Sequence, residues 1–339
     1  MSESNPPLPP YPPAPGMPPF GHVMPMTFGQ ILDRIFRLTR ANIWPFLAIG
    51  VLPIAVVIVF EAVLFGGLFL AGGIPIPPAH PDPNPAAFLW IAPALLIFYP
   101  VMFMVYGIYY GASSYAAVQA DHGVKVSAGE AIRHAWSKLG RYVWLYFLRI
   151  LIIALPILAA VLIIGIGGLL LVYLTPNQDL TNTNPAALFF LVPLGILFYL
   201  GAFAYAIYMS LRYALAFPAC VHENITASQA LERSGKLTHG AKGRIFLMAL
   251  VIYAIASAAF LIVYALGLFL FAIGAFATGG HIDGHLPLII ALAVIGGLIV
   301  LVVILVWSAL FMAAYSITFA VFYRDQCLRK DGLLPAPAQ

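Results

Sequence analysis

The chain has 339 residues, 63% of them hydrophobic and 8% charged, with a mean hydropathy of +0.98 and a formal net charge of +4. Soluble domains carry roughly a quarter charged residues, so this composition excludes an ordinary soluble fold and points to a membrane protein. The pI near 9.0 is not a nucleic-acid signature, because the basic residues are spread around the ends of apolar runs rather than gathered in one groove.

Residues 1–26 hold ten prolines and no Lys or Arg. Such a stretch cannot bury a core, and it is expected as a disordered, polyproline-II-rich cytoplasmic tail. It lacks the basic and apolar regions of a cleavable signal peptide. Its PxxP spacings, for example Pro6 to Pro9 and Pro12 to Pro15, suit either a docking segment for a protein partner or a plain solvated tail.

A short pattern then recurs almost every hundred residues. Thr27 is followed by Gln30 and Arg34, Ser127 by Glu130 and His134, and Thr226 by Gln229 and Arg233. Ser or Thr followed three residues later by Glu or Gln is a capping box that opens a helix. Ile31, Leu32, Ile35 and Phe36 form an apolar stripe in the first copy, and Ala131, Ile132, Ala135 and Trp136 form the stripe of the second. Ala230 and Leu231 mark a weaker one in the third. A basic amphipathic helix leading into an apolar run is expected to lie in the headgroup layer.

Six apolar runs follow these helices in pairs, at about 43–72, 87–118, 142–174, 187–220, 245–277 and 287–322. Each exceeds the roughly 20 residues needed to cross a bilayer. The expected fold is therefore an all-α polytopic membrane protein of six transmembrane helices. They are arranged as three repeats of one interfacial helix plus a two-span hairpin: 27–118, 127–220 and 226–322. The membrane domain is expected over 27–325, with a cytoplasmic tail at 326–339. Pro53, Pro93, Pro156 and Pro193 are the positions at which spans could break.

All 16 Lys and Arg residues fall on one side of this map, and the three opposite connections (about 73–86, 175–186 and 278–286) contain none. Retained Lys and Arg mark the cytoplasmic side, so both termini are expected in the cytoplasm of a bacterial inner-membrane protein. Cys220 and Cys327 lie near that side, where thiols stay reduced, and no disulfide is expected.

Candidate polar sites are few. Glu61 is the only acid inside an apolar run, readable as an intramembrane polar or transport site or as a residue at the far interface. Arg149 and Arg212 stand within the cytoplasmic ends of spans 3 and 4. They can snorkel to headgroups or form a cationic notch for a lipid phosphate. His281, Asp283 and His285, with His80 or Asp82, have the donor types of a zinc site, but no spacing fixes their geometry and no metal or other cofactor is expected. No nucleotide-binding glycine loop or Ser-His-Asp order is present, and no enzyme activity is expected.

Residues 212–240 read RYALAFPACVHENITASQALERSGKLTHG. The arrangement Arg212, Pro218, Glu223-Asn224, Ala230, Arg233-Ser234, Leu237-Thr238 and Gly240 resembles the signature region of the glycerophosphoryl diester phosphodiesterase membrane-domain family. FGQILDRIFRLTRANIWPFL near the start and FAVFYRDQCLRKDG near the end resemble that family's first helix and C-terminal end. Some members join this region to a hydrolase barrel, for which these residues leave no room. The resemblance thus implies the membrane module and not the reaction. It also implies that Glu223 is a structural acid paired with Arg233. With Arg149 and Arg212, these two residues mark the expected working face, a cytoplasmic surface that organises anionic lipid or a partner. A small-molecule or lipid translocator is the alternative.

Overall fold

The computed structural model describes residues 25–70, 89, 91–174, 185–277 and 286–332. Over these residues the chain forms ten α-helices and no strand: α1 (Phe28–Ala41), α2 (Ile43–Leu70), α3 (Ile91–Asp121), α4 (Ala128–Ser137), α5 (Leu139–Leu174), α6 (Pro185–Arg212), α7 (Ala216–His222), α8 (Ala227–Thr238), α9 (Lys242–Ala277) and α10 (Leu286–Asp331). Six segments, in α2, α3, α5, α6 with α7, α9 and α10, are long and apolar enough to cross a membrane.

The short helices start where side chains satisfy their free N–H groups. The Thr27 and Ser127 amides donate to Gln30 Oε1 and Glu130 Oε2 at 2.8 and 2.9 Å. The Gln30 and Glu130 amides return bonds to the Thr27 and Ser127 hydroxyls. The Thr226 amide donates to Gln229 Oε1 at 3.0 Å. Each cap supplies partners that the first helical turn cannot provide for itself.

Proline positions were only partly legible. α2 runs through Pro53, α3 through Pro100, α5 through Pro156 and α6 through Pro193, while Pro93 sits in the first turn of α3. The break falls instead at Tyr213–Leu215, between α6 and α7. Pro218 favours it, since its ring would strike the Ala214 carbonyl in a continuous helix, and the Ser234 and Thr238 hydroxyls satisfy the Leu215 amide and Arg212 carbonyl there. A second difference concerns the end of the chain. α10 continues to Asp331, past the expected end of the sixth apolar run, because Asp325, Arg329, Lys330 and Asp331 find partners on other elements.

The hydrophobic core is concentrated at the end that holds the short helices. Ile31 and Ile35 of α1, Ala131 and Ala135 of α4, Phe217 and Val221 of α7, Leu237 of α8, Ile245 of α9 and Ile317 and Phe322 of α10 pack in one buried cluster. Farther along the spans the apolar side chains face outward, as at Leu155, Leu162 and Leu169 of α5 and Leu197, Leu200 and Phe203 of α6. An apolar exterior of this kind is stable against lipid tails and not against water. α3 approaches α5 closely through Gly107 and Gly111. A Cβ at Gly107 would lie 2.9 Å from Val143 Cα, and one at Gly111 would lie 2.5 Å from the Tyr142 ring. Small residues four apart allow such contact between spans.

Candidate functional site

Polar chemistry collects where α1, α4, α7 and α8 meet the ends of α3, α6 and α10. Three carboxylates there are met by donors, two of them fully enclosed. Asp121, at the last residue of α3 and 3% exposed, accepts from Arg34 Nε at 2.5 Å and from Arg324 Nη1 at 3.2 Å. The Asp121 carbonyl also takes Arg34 Nη2 at 2.8 Å. Asp325, with no exposed side-chain surface, accepts the Met26 amide at 2.8 Å and Arg329 Nε at 2.8 Å, with Arg244 at 3.6 Å. Arg244 and Arg329 both donate to the Met26 carbonyl, at 3.2 and 2.7 Å. The chain just before α1 is thereby clamped onto α9 and α10.

Glu223 follows α7 and accepts Arg233 Nε at 2.7 Å and the Tyr323 hydroxyl at 2.6 Å. Arg233 also pairs with Asp331 through Nη2. Asp331 first, and Glu223 with it, hold the Arg233 guanidinium above its usual range. Next to Glu223, Asn224 takes a left-handed φ of 53°, which Asn tolerates better than most residues. Its side-chain oxygen accepts Arg141 Nη1 at 2.6 Å and Lys138 Nζ at 3.1 Å, joining this loop to the start of α5.

A histidine pair, His122 beside Asp121 and His222 beside Glu223, links two of these carboxylate clusters. His122 Nε2 approaches His222 Nε2 to 3.4 Å, and the His222 ring stacks on Tyr323. Burial, the largest influence, pushes the His122 imidazole below its ordinary value, against a smaller opposing pull from Asp121. His134 stacks on Tyr115 at 4.0 Å between ring centres and is also lowered by burial.

The four residues that the sequence suggested as one face do not converge. Glu223 and Arg233 meet directly, in the pairing the resemblance implied. Arg149 stands apart, ten residues into α5 and therefore about 15 Å along it. It is half-buried, donates to the Tyr315 hydroxyl at 3.4 Å and lies 6.0 Å from the Tyr110 ring centre. Tyr106, Tyr110 and Tyr146 stack beside it, a tyrosine layer between α3 and α5 that no single-helix pattern reveals. Arg212 ends α6 and lies elsewhere again, against α8.

Arg212, Glu232, Gly235, Lys236, His239 and Lys330 line an open groove of about 440 Å³. The Arg212 carbonyl accepts the Ser234 and Thr238 hydroxyls at 2.8 and 3.1 Å, which fixes this residue to α8. Lys330 Nζ donates to the carbonyls of Lys236 and His239 at the end of that helix. Glu232 pairs with Lys236 at 2.7 Å on the exposed rim, and the lysine holds the Glu232 carboxyl below its usual range. Lys236, His239 and Lys330 escaped the sequence reading because their closeness depends on α10 reaching α8. Their signal was the cluster of bases beside Arg212 in the resembling segment and at the chain's end.

Glu61 lies 18 residues into α2 and is exposed on that helix's surface rather than turned into the bundle. His80, Asp82, His281, Asp283 and His285, the 1–24 portion of the Pro-rich tail and residues 333–339 lie outside the described residues. Among the described residues no group of three His, Cys, Asp or Glu side chains is placed to hold a metal ion. Cys220 and Cys327 are buried free thiols. The chemistry this end offers is charge held at fixed positions: Asp121 and Asp325 are enclosed by donors, the partly exposed Glu223 accepts two through Oε1, and a cationic groove is left open among the described residues. No family model, no curated protein and no solved structure matches the chain.

Proposed function

We propose that the chain is a non-catalytic inner-membrane protein with cytoplasmic termini, whose cytoplasmic end organises anionic lipid headgroups or a protein partner. The observation that carries this reading is the segregation of charge. All 16 Lys and Arg residues lie toward one end of the helices, where the buried acids are already occupied by arginines and a further group of cations remains open. Excess Lys and Arg favour the cytoplasmic side, and anionic headgroups attract what stays uncompensated there.

The threefold arrangement of an interfacial helix plus a two-span hairpin belongs to the same proposal. Arg34, His134 and Arg233 each stand seven residues after a capping Ser or Thr, and each touches the polar ends of the spans. The resemblance of residues 212–240 to the glycerophosphoryl diester phosphodiesterase membrane-domain family supports a membrane module, and the Pro-rich tail supplies a second surface for a partner. Translocation of a small molecule or lipid is the second reading, favoured by Arg149 inside a span without a carboxylate partner among the described residues.

Purification in mild detergent, followed by lipid extraction, tests the first reading. The expected result is enrichment of phosphatidylglycerol or cardiolipin over phosphatidylethanolamine relative to the bulk membrane. Bulk-like lipid together with no stable protein partner contradicts it. Reporter fusions at the two termini are expected to read cytoplasmic. Proteoliposome flux that depends on Arg149 would favour the translocator.

A further inference from the structure

We propose that the groove beside α8 binds the phosphate of an anionic phospholipid, whose acyl chains run between α6 and α9. This rests on the lipid-organising reading above and gives it an address. Arg34, Arg233, Arg244, Arg324 and Arg329 all face carboxylates. The Arg212 backbone is held to α8 through its carbonyl, while its exposed guanidinium reaches no carboxylate and no hydrogen-bond acceptor among the described residues. It lies 5.6 Å from the Tyr213 ring centre and against Gly235, where a Cβ would come within 3.3 Å of Arg212 Nε. The glycine therefore leaves room for the guanidinium plane on α8. Five N–H donors in a rigid fork match the oxygens of a phosphate.

The rest of the groove favours the same ligand. Lys236, Lys330 and Arg212 outnumber the one carboxylate, Glu232. The exposed carbonyls at the C-terminal end of α8 repel anions, but Lys330 covers two of them and keeps a third ammonium donor. One turn before Arg212 on α6, Tyr208 meets Lys242 at the start of α9, whose ammonium donates to the phenol at 2.7 Å. Beyond this point the two helices make little contact, and both carry exposed apolar side chains, Leu200 and Phe203 on α6 and Leu250 and Tyr253 on α9. A headgroup phosphate at the cationic end with acyl chains along the apolar helices satisfies both halves of this surface. A soluble phosphate ester would leave the apolar half without a role.

Native mass spectrometry of the full-length protein, titrated with phosphatidylglycerol, tests this. The expected result is one retained lipid whose affinity falls about tenfold in Arg212→Gln, a difference of roughly 1.4 kcal/mol. Gly235→Val is expected to weaken retention in the same direction. Glu232→Gln, on an exposed rim where folding is not at risk, is expected to strengthen it. Arg37→Gln, outside the groove, is expected to change it by less than about twofold. Equal losses in Arg212→Gln and Arg37→Gln overturn the site while leaving a diffuse attraction of anionic lipid to this end. No preference for phosphatidylglycerol over phosphatidylcholine overturns both readings. Glycerol phosphate that binds alone, displaces the lipid and depends on Arg212 overturns the lipid assignment in favour of a soluble ester. A lipid that glycerol phosphate does not displace supports it.

Discussion

α8 carries two basic surfaces a single turn apart, and they are built for opposite ends. Arg233 is locked between Glu223 and Asp331, within a cluster that Tyr323 completes. Arg212 and Lys236 border an open groove in which the only acid, Glu232, sits on the exposed rim. The first surface spends its charge inside the molecule, tying α8 to the loop after α7 and to the end of α10. The second leaves its charge facing outward. At a membrane surface a basic residue can thus be a strut or a contact, and the number of carboxylates within reach separates the two.

The largest expected effect comes from opening the most enclosed strut. Asp325→Ala removes a buried carboxylate that holds the Met26 amide, Arg329 and Arg244, and should lower stability by about 3–5 kcal/mol in detergent unfolding. Gly107→Leu, which forces a side chain against Val143, is expected to cost about 1–3 kcal/mol in the same assay. Glu223→Gln acts on a partly exposed pair and should cost only about 1 kcal/mol. If Glu223→Gln costs as much as Asp325→Ala, enclosure is not what separates these acids.

The histidines give a pH test. Burial holds His122 and His134 below their ordinary values, so the unfolded chain takes up these protons first. Stability from both groups is complete above the unfolded value near 6.5 and declines as pH falls from there toward the lowered folded values. His122 titrates amid Asp121, Arg34, Arg324 and His222, so His122→Gln should flatten the decline below about pH 6.5. The smallest effect on stability belongs to the open surface. Arg212→Gln should move it by less than about 0.5 kcal/mol, because no carboxylate or hydrogen-bond partner among the described residues is lost.

Much of the fold was legible from one-dimensional signals. The apolar runs mark the spanning segments, and Thr27, Ser127 and Thr226 mark three helix starts through contacts only three residues away. What escaped was long-range. Asp121 meets Arg34 and Arg324 across 87 and 203 residues, and Asp325 meets Met26 across 299, so no periodicity reports them. A signal existed nonetheless, since an acid at the end of an apolar run is costly unless a base covers it. The candidate site was read as one patch because Arg149, Arg212, Glu223 and Arg233 are all polar residues near span ends. They separate because Pro218 interrupts the helix between Arg212 and Glu223, and because Arg149 lies a further 15 Å or so along α5.

The most direct test of the central claim, that this end of the molecule carries a built site for anionic lipid, is thermal unfolding in nanodiscs. Replacing phosphatidylcholine with about 30 mol% phosphatidylglycerol should raise the wild-type midpoint, since a ligand that binds only the folded state stabilises it. The rise should largely vanish in Arg212→Gln while remaining in Arg37→Gln. An identical rise in all three proteins, or none in the wild type, would contradict the account.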